Sequence, residues 1–328
     1  MAQTVPKNYL DFEKPIIELE KMIEELETFS VTTETDLSSQ IGELRERCDS
    51  LKKDIFSKLT AWQRVQLARH PNRPLTPDYI EFVFNDFLEL HGDRRFGDDK
   101  AVVTGLARLN GRRVMVVGHC KGRAVREKMA CNFGMAHPEG YRKALHKMCL
   151  AEKFRLPVIT FVDTPGAYPG VGAEERGQAH AIAENIREMS RLRVPIVTIV
   201  IGEGGSGGAL GIGVADRLAI MENAYYSVIS PEGCASILWK TSERAEDAAN
   251  TLKLTAQDLK EFGIVDDIVP EPLGGAHRDH IGAARSVRAY LESTLAEFDG
   301  VPCGELVDRR YERLKSVGKY LEPAVVST

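Results

Sequence analysis

From Gly202 to Ala209 the chain reads Gly-Glu-Gly-Gly-Ser-Gly-Gly-Ala, five glycines within seven residues. An apolar run that reads as a buried strand precedes it, and a segment that reads as a helix beginning near Ser206 follows it. Glycines permit positive φ and let other groups approach the backbone closely. The first amides of a helix have no intrahelical acceptor and sit at the positive end of its dipole, so such a start suits an anion or a developing oxyanion. The structural alternative is tight strand–helix packing, which one glycine usually serves.

Three chemistries compete for this loop. Gly202, Gly204 and Gly207 match the dinucleotide fingerprint GxGxxG, with Glu222 some 20 residues on. That fingerprint, however, lies two-thirds of the way along the chain instead of opening a nucleotide domain. Gly204, Ser206 and Gly208 spell the hydrolase elbow GxSxG, and Asp and His both occur downstream. Short glycine-rich strings match either pattern by accident. The third reading uses the backbone amides of Gly207 and Gly208 as an oxyanion hole, with no side chain in the covalent step. Removing one such donor typically costs about 3 to 4 kcal/mol of transition-state stabilisation.

Other motifs are read against plainer explanations. Asp163-Thr164-Pro165-Gly166 imitates a GTPase switch, but no GxxxxGK[ST] loop exists to hold the phosphates. It reads as a loop walling the same crevice, and Arg176 farther along offers a cation, with a salt bridge to Glu174 or Glu175 as its structural alternative. His277 and His280 have a spacing that can hold a metal on a helix, with no third ligand evident. Ser230-Pro231-Glu232 is explained by an N-cap, a first-turn proline and a first-turn acid.

The elements that position these residues follow from periodicity. Apolar positions from Asp11 to Arg69 repeat at helical spacing, with Ile41, Leu44, Cys48, Leu51, Ile55 and Trp62 near a heptad. The break at Ser30–Asp36 predicts an antiparallel pair, either a seam for a partner or a hairpin packed on its own domain. A short helix is expected around Tyr79 to Leu90, then a β-hairpin about Asn110-Gly111. Downstream, strands alternate with helices, including one helix from Ala173 to Leu192, which predicts mostly parallel sheet covered on both faces. From His277 onward two charged helical patterns finish the chain.

With 328 residues, 43% apolar content and a net charge of −5, composition favours a folded domain without a field aimed at nucleic acid or an anionic membrane. Six scattered cysteines form no CxxC pair, which argues against a zinc ribbon in this chain and fits reduced thiols in a cytosol. No apolar run approaches membrane-spanning length, and the start lacks signal or transit character, so a cytoplasmic protein is expected.

Four segments, Asn132–Leu145, Thr160–Gln178, Val200–Gly213 and Tyr226–Lys240, closely resemble the alpha subunit of acetyl-CoA carboxylase carboxyltransferase. The resemblance also takes in ARHPNRP, KPIIELE and EPLGGAHRD, covers nearly the whole chain in order, and is less clear after Glu297. It implies an α/β, crotonase-like fold of ββα turns wound into a spiral. On that basis residues 1–70 are expected to form the helical hairpin, 71–298 the carboxyltransferase domain and 299–328 a helical extension. The resemblance further implies transfer of a carboxyl group from carboxybiotin to acetyl-CoA, giving malonyl-CoA for fatty acid biosynthesis.

The same resemblance implies an α2β2 assembly with a carboxyltransferase beta subunit, served by a biotin carboxyl carrier protein and biotin carboxylase. No cofactor is expected on this chain, and zinc only on the beta subunit. Gly207 and Gly208 fall where paired amides hold the ureido oxygen of carboxybiotin. Gly204 and Gly205 are expected to shape the approach, with Gly166, Ala167 and Arg176 as wall residues.

Overall fold

Asn110 and Gly111, with φ of 46° and 81°, turn the chain through a two-residue hairpin of the left-handed kind that both residue types accept. The hairpin joins β2 (Val102–Leu109) to β3 (Arg112–His119), paired antiparallel from Leu109↔Arg112 to Val102↔His119. On its outer side runs β1 (Asn85–Glu89), antiparallel to β2. The computed structural model describes residues 8–33 and 35–318. The beginning of the expected hairpin, Glu34 in its break and the last ten positions of the expected extension lie outside the described residues.

From β3 onward the described strands pair with one another in parallel: β4 (Val158–Thr164), β5 (Ile196–Gly205), β6 (Arg217–Met221) and β8 (Asp267–Val269) follow in order. The short β7 (Tyr225–Ser227) pairs with the carboxyl-terminal end of β5. β4 and β5 are buried along their whole length, which is why their sequences run apolar instead of alternating. Helices Pro138–Lys153 and Gln178–Met189 cover one side, and His280–Glu297 packs on Thr76–Val83. The main core gathers Val116, Ile159, Phe161, Val197, Ile199 and Val287, all fully buried.

The amino-terminal helices Lys14–Thr33 and Ser38–Ser57 close on each other through Ile16, Leu19 and Ile23 against Ile41, Leu44, Cys48, Leu51 and Ile55. Trp62 is not the last rung of that seam. Thr60 and Gln63 form a capping box that starts a separate helix, Ala61–Ala68, and Trp62 packs with Val65, Tyr225 and Leu254 instead.

Two other elements differ from expectation. The helix predicted over Tyr79–Leu90 ends at Val83, and the remainder is edge strand β1, formed because β2 offers it a ladder. The helix expected from Ala173 to Leu192 is two pieces, Val171–Glu175 and Gln178–Met189, separated where Gly177 takes φ 82°. Among the described residues no helix is long and apolar enough to cross a membrane.

The carboxyl-terminal helix Cys303–Lys315 is tied in by Arg310, 1% exposed. Its five N–H groups are all used: two on the Asp216 carboxylate at 2.9 and 2.7 Å, and three on the carbonyls of Met189, Leu192 and Val194 at 2.7–2.9 Å.

Candidate active site

The central strands end together. Thr164 of β4 stands in register with Gly204 of β5 after a bulge, and β5 changes partner there, from β6 up to Val200 to β7 from Glu203. Most of the glycines serve this crowding. A Cβ on Gly202 would lie 2.5 Å from Asp163 Oδ1, on Gly204 2.6 Å from the Tyr226 ring, on Gly205 2.2 Å from Pro165 O, and on Gly208 2.5 Å from Gly166 C. Close packing therefore explains four of the five. Gly204 and Gly205 turn their bare Cα faces to protein, and Gly166 and Ala167 form the wall against Gly208.

Gly207 is different, because the nearest atom to a Cβ built there is Ile182 Cδ1 at 3.9 Å. Just before it, exposed Ser206 takes φ 51°, a left-handed conformation that turns the strand sharply into the helix Ser206–Leu210. Among the described residues no hydrogen bond takes up the amide of Gly207 or Gly208. These two consecutive N–H groups are free donors at the carboxyl end of the sheet. The helix has only five residues, so the donors themselves, far more than a long dipole, carry the electrostatics.

Neither competing chemistry gains support. Ser206 sits in a bend like that of a nucleophile elbow, yet among the described residues no histidine or carboxylate hydrogen-bonds its hydroxyl. Glu222 accepts from the Glu271 amide at 3.1 Å, and the backbone of Pro165–Ala167 fills the space over Gly205 and Gly208.

A charge network anchored on the buried Asp163 and Glu203, absent from the sequence reading, supports the bend. Lys121 Nζ reaches Asp163 Oδ1 at 2.6 Å and Glu203 Oε2 at 2.5 Å. Glu203 Oε1 accepts from Arg69 Nε at 2.6 Å and from the Tyr225 hydroxyl at 2.7 Å. Arg69 continues to Glu232 at 2.5 Å, so that first-turn acid has a partner beyond its own helix. Asp163 also accepts from the Glu203 amide at 2.9 Å, joining β4 to β5. Burial acts to raise the Glu203 pKa, but Lys121 and Arg69 overcome it and bring it down to about 2. For Asp163 burial wins over Lys121 and the pKa rises. Charges in apolar runs need partners, which could have flagged Asp163 and Glu203; that the partners of Glu203 lie 82 and 134 residues away was not legible.

His119, at the end of β3, is fully buried, and among the described residues neither ring nitrogen has a partner at full hydrogen-bonding geometry. Burial pushes its pKa down to about 3, helped by Lys121 and opposed by the Gly208 backbone.

Arg176 pairs with Glu139, not with Glu174 or Glu175, and its guanidinium lies 4.5 Å from the centre of the Phe96 ring. It lines a shallow pocket of 380 Å³ with Asp98, Asp99, Asn132 and His137.

His277 and His280 do not converge. His280 contacts the Asn72 carbonyl at 2.5 Å, whereas His277 turns to Glu13 and to His70, whose ring centre is 4.3 Å away. Glu13, His70 and His277 are a candidate cation cluster by residue type. Direct bonds already engage one ring nitrogen of each histidine and the Glu13 carboxylate: His277 Nε2 donates to Glu13 at 3.0 Å, His70 Nδ1 accepts from the Asn72 amide at 3.1 Å, and Arg278 reaches the same Glu13 oxygen at 3.3 Å. The arrangement docks the amino-terminal hairpin on the core.

Comparison with known proteins agrees with this architecture. Residues 9–318 match the family described as acetyl co-enzyme A carboxylase carboxyltransferase-like. The chain is 58% identical over 312 residues to the acetyl-coenzyme A carboxylase carboxyl transferase subunit alpha of Haemophilus influenzae (strain PittEE), covering 95% of this chain and 99% of that one. It is 57% identical over 315 residues to the protein of the same name from Thioalkalivibrio sulfidiphilus, covering 96% and 99%.

Among solved structures, transcarboxylase 12S superposes with a TM-score of 0.57 at 20% identity, over 78% of this chain and 44% of that one. A Pseudomonas malonate decarboxylase hetero-tetramer crystallised with coenzyme A gives 0.54 at 19% identity, over 68% and 89%. These likenesses establish the crotonase-like fold.

Proposed function

The chain belongs to the acetyl co-enzyme A carboxylase carboxyltransferase family, and on that premise we propose that it moves the carboxyl group of carboxybiotin to acetyl-CoA, forming malonyl-CoA. It is one subunit of a multi-subunit carboxyltransferase. The complete reading is an α2β2 enzyme in which a beta subunit, carrying a zinc ribbon, supplies the oxyanion hole for the acetyl-CoA enolate. Carboxybiotin arrives on its carrier protein from biotin carboxylase.

Gly207 and Gly208 take the ureido oxygen. As the bond between the biotin nitrogen and the carboxyl carbon breaks, its electron pair spreads into the ureido group and negative charge grows on that oxygen. Two amides with no other acceptor among the described residues stabilise it at the moment it forms, which lowers the barrier instead of merely tightening binding. The biotin nitrogen then takes a proton from the methyl group of acetyl-CoA, and the enolate carbon attacks the released carbon dioxide. No protein base is needed, in keeping with the unpartnered Ser206 hydroxyl. The Lys121–Asp163–Glu203–Arg69 network holds the bend while charge develops.

The observation that carries this reading is the pair of free amides at residues 207 and 208. Replacing Gly208 by glycolic acid turns its N–H into an ester oxygen with little change of shape. In the assembled enzyme kcat should fall about 10²- to 10³-fold with the KM for acetyl-CoA unchanged. An unchanged kcat would end the proposal.

A further inference from the structure

Cys120 and Cys131 are the only cysteines whose sulfur atoms meet among the described residues, 3.9 Å apart and eleven positions apart in sequence. We propose that they form a reversible disulfide site, closed by hydroperoxides and reopened by thiols. Closing it requires the sulfurs to approach from 3.9 Å to about 2.05 Å, a shift of about 0.9 Å on each side.

The surroundings permit that movement. Cys120 follows β3, and Cys131 leads into a turn in which Asn132, Phe133 and Gly134 take φ of 46°, 56° and 86°. Two consecutive non-glycine residues in the left-handed region are strained, so the turn sits near alternatives of similar energy. Between the cysteines, helix Val125–Ala130 buries none of its side chains. A segment with so few packed contacts opens locally at small cost, giving small oxidants access to both sulfurs.

The two thiols are also unequal. The Cys131 S–H and the Gly122 amide pull the Cys120 thiol below its ordinary range against the effect of burial, whereas the same contact pushes Cys131 up. Cys120 is therefore the attacking sulfur. Its thiolate attacks one peroxide oxygen; an S–O bond forms, the O–O bond breaks, and the leaving hydroxide takes a proton to become water. Cys131 sulfur then attacks the resulting sulfenic acid as its own proton leaves. The S–S bond forms, the S–O bond breaks, and a second water departs. Two thiols are oxidised by two electrons and one peroxide is reduced to two waters.

The full-length chain, with the exposed Cys149 and Cys303 replaced by alanine, is titrated with hydrogen peroxide, alkylated and mapped by mass spectrometry. The expected product is a single link between the peptides carrying Cys120 and Cys131, with slowed amide exchange across residues 121–134, both reversed by dithiothreitol. In Cys131→Ser the link should vanish and Cys120 should be captured as its sulfenic acid by dimedone. The proposal is overturned if both thiols remain alkylatable at peroxide concentrations that oxidise Cys149 in the unmodified chain. A link from Cys120 to another cysteine, or unchanged exchange after closure, would overturn it as well.

Discussion

Glu203 Oε2 accepts from Lys121 Nζ at 2.5 Å, an ion pair that joins residues 82 positions apart at the point where β5 becomes the glycine bend. The same ammonium holds Asp163 at 2.6 Å, so one cation links the ends of two central strands. Lys121→Met leaves two buried carboxylates short of a partner and should cost about 3 to 5 kcal/mol. Urea unfolding measures the loss, and the double variant Lys121→Met/Glu203→Gln should recover part of it. A single variant as stable as the native chain would show that the network is not a structural support.

The two glycines of the bend should respond oppositely to a methyl group. At Gly207 the nearest atom to an added Cβ is 3.9 Å away, and at Gly208 it is Gly166 C at 2.5 Å. Gly207→Ala should retain kcat within about threefold, whereas Gly208→Ala should lower it by tenfold or more, because relieving such overpacking costs about 1 to 3 kcal/mol. Steady-state kinetics of the assembled enzyme provide the comparison. Equal effects of the two substitutions would contradict the asymmetry.

Arg310 is surrounded by protein and spends every donor on Asp216 and three carbonyls. Arg310→Met keeps the length of the stem but strands Asp216, 3% exposed, without its cation. A loss of about 3 to 5 kcal/mol is expected, read as a lower melting temperature. Arg310→Met/Asp216→Leu should melt above the single variant.

Acid should destabilise the chain through two histidines that are held neutral in the fold. Burial, with His277 next in weight, lowers the His70 pKa from 6.5 to about 4, and burial with Lys121 lowers that of His119 to about 3. In both cases the unfolded chain binds more protons than the folded chain below pH 6.5, so stability rises with pH through that interval. The slope approaches about 1.4 kcal/mol per pH unit for each histidine, and is lost in full for His70 below about pH 4. His70→Gln and His119→Gln should each flatten the dependence of the melting temperature between pH 6.5 and pH 4; an unchanged slope in both would refute the assignment.

Local signals were well read where the sequence carries its own geometry. Asn110-Gly111 announces its turn because both residues accept positive φ, and the apolar runs of β4 and β5 announce burial on both faces. The glycine bend was found by composition, but most of its glycines answer to Pro165–Ala167 and Tyr226, contacts that only the folded sheet creates. The boundary near Trp62 was missed because Ala61–Ala68 keeps the helical period while turning to a different neighbour. Leu88 and its neighbours read as helix because β1 acquires its strand character from the β2 ladder. Lys121, Arg69 and Arg310 look like ordinary surface cations in sequence, since what buries each of them is brought together from distant parts of the chain.

The capture of Asp216 by Arg310 also fixes an order of events during synthesis. Residues 189 to 216 leave the ribosome 94 positions or more ahead of their cation, and until it arrives the carbonyls of Met189, Leu192 and Val194 and the Asp216 carboxylate lack the guanidinium that joins them. That corner of the sheet is sealed only when the helix Cys303–Lys315 has been made. A message that stops before codon 310 therefore yields a chain that contains every described strand and the whole glycine bend, yet is marked from within as unfinished.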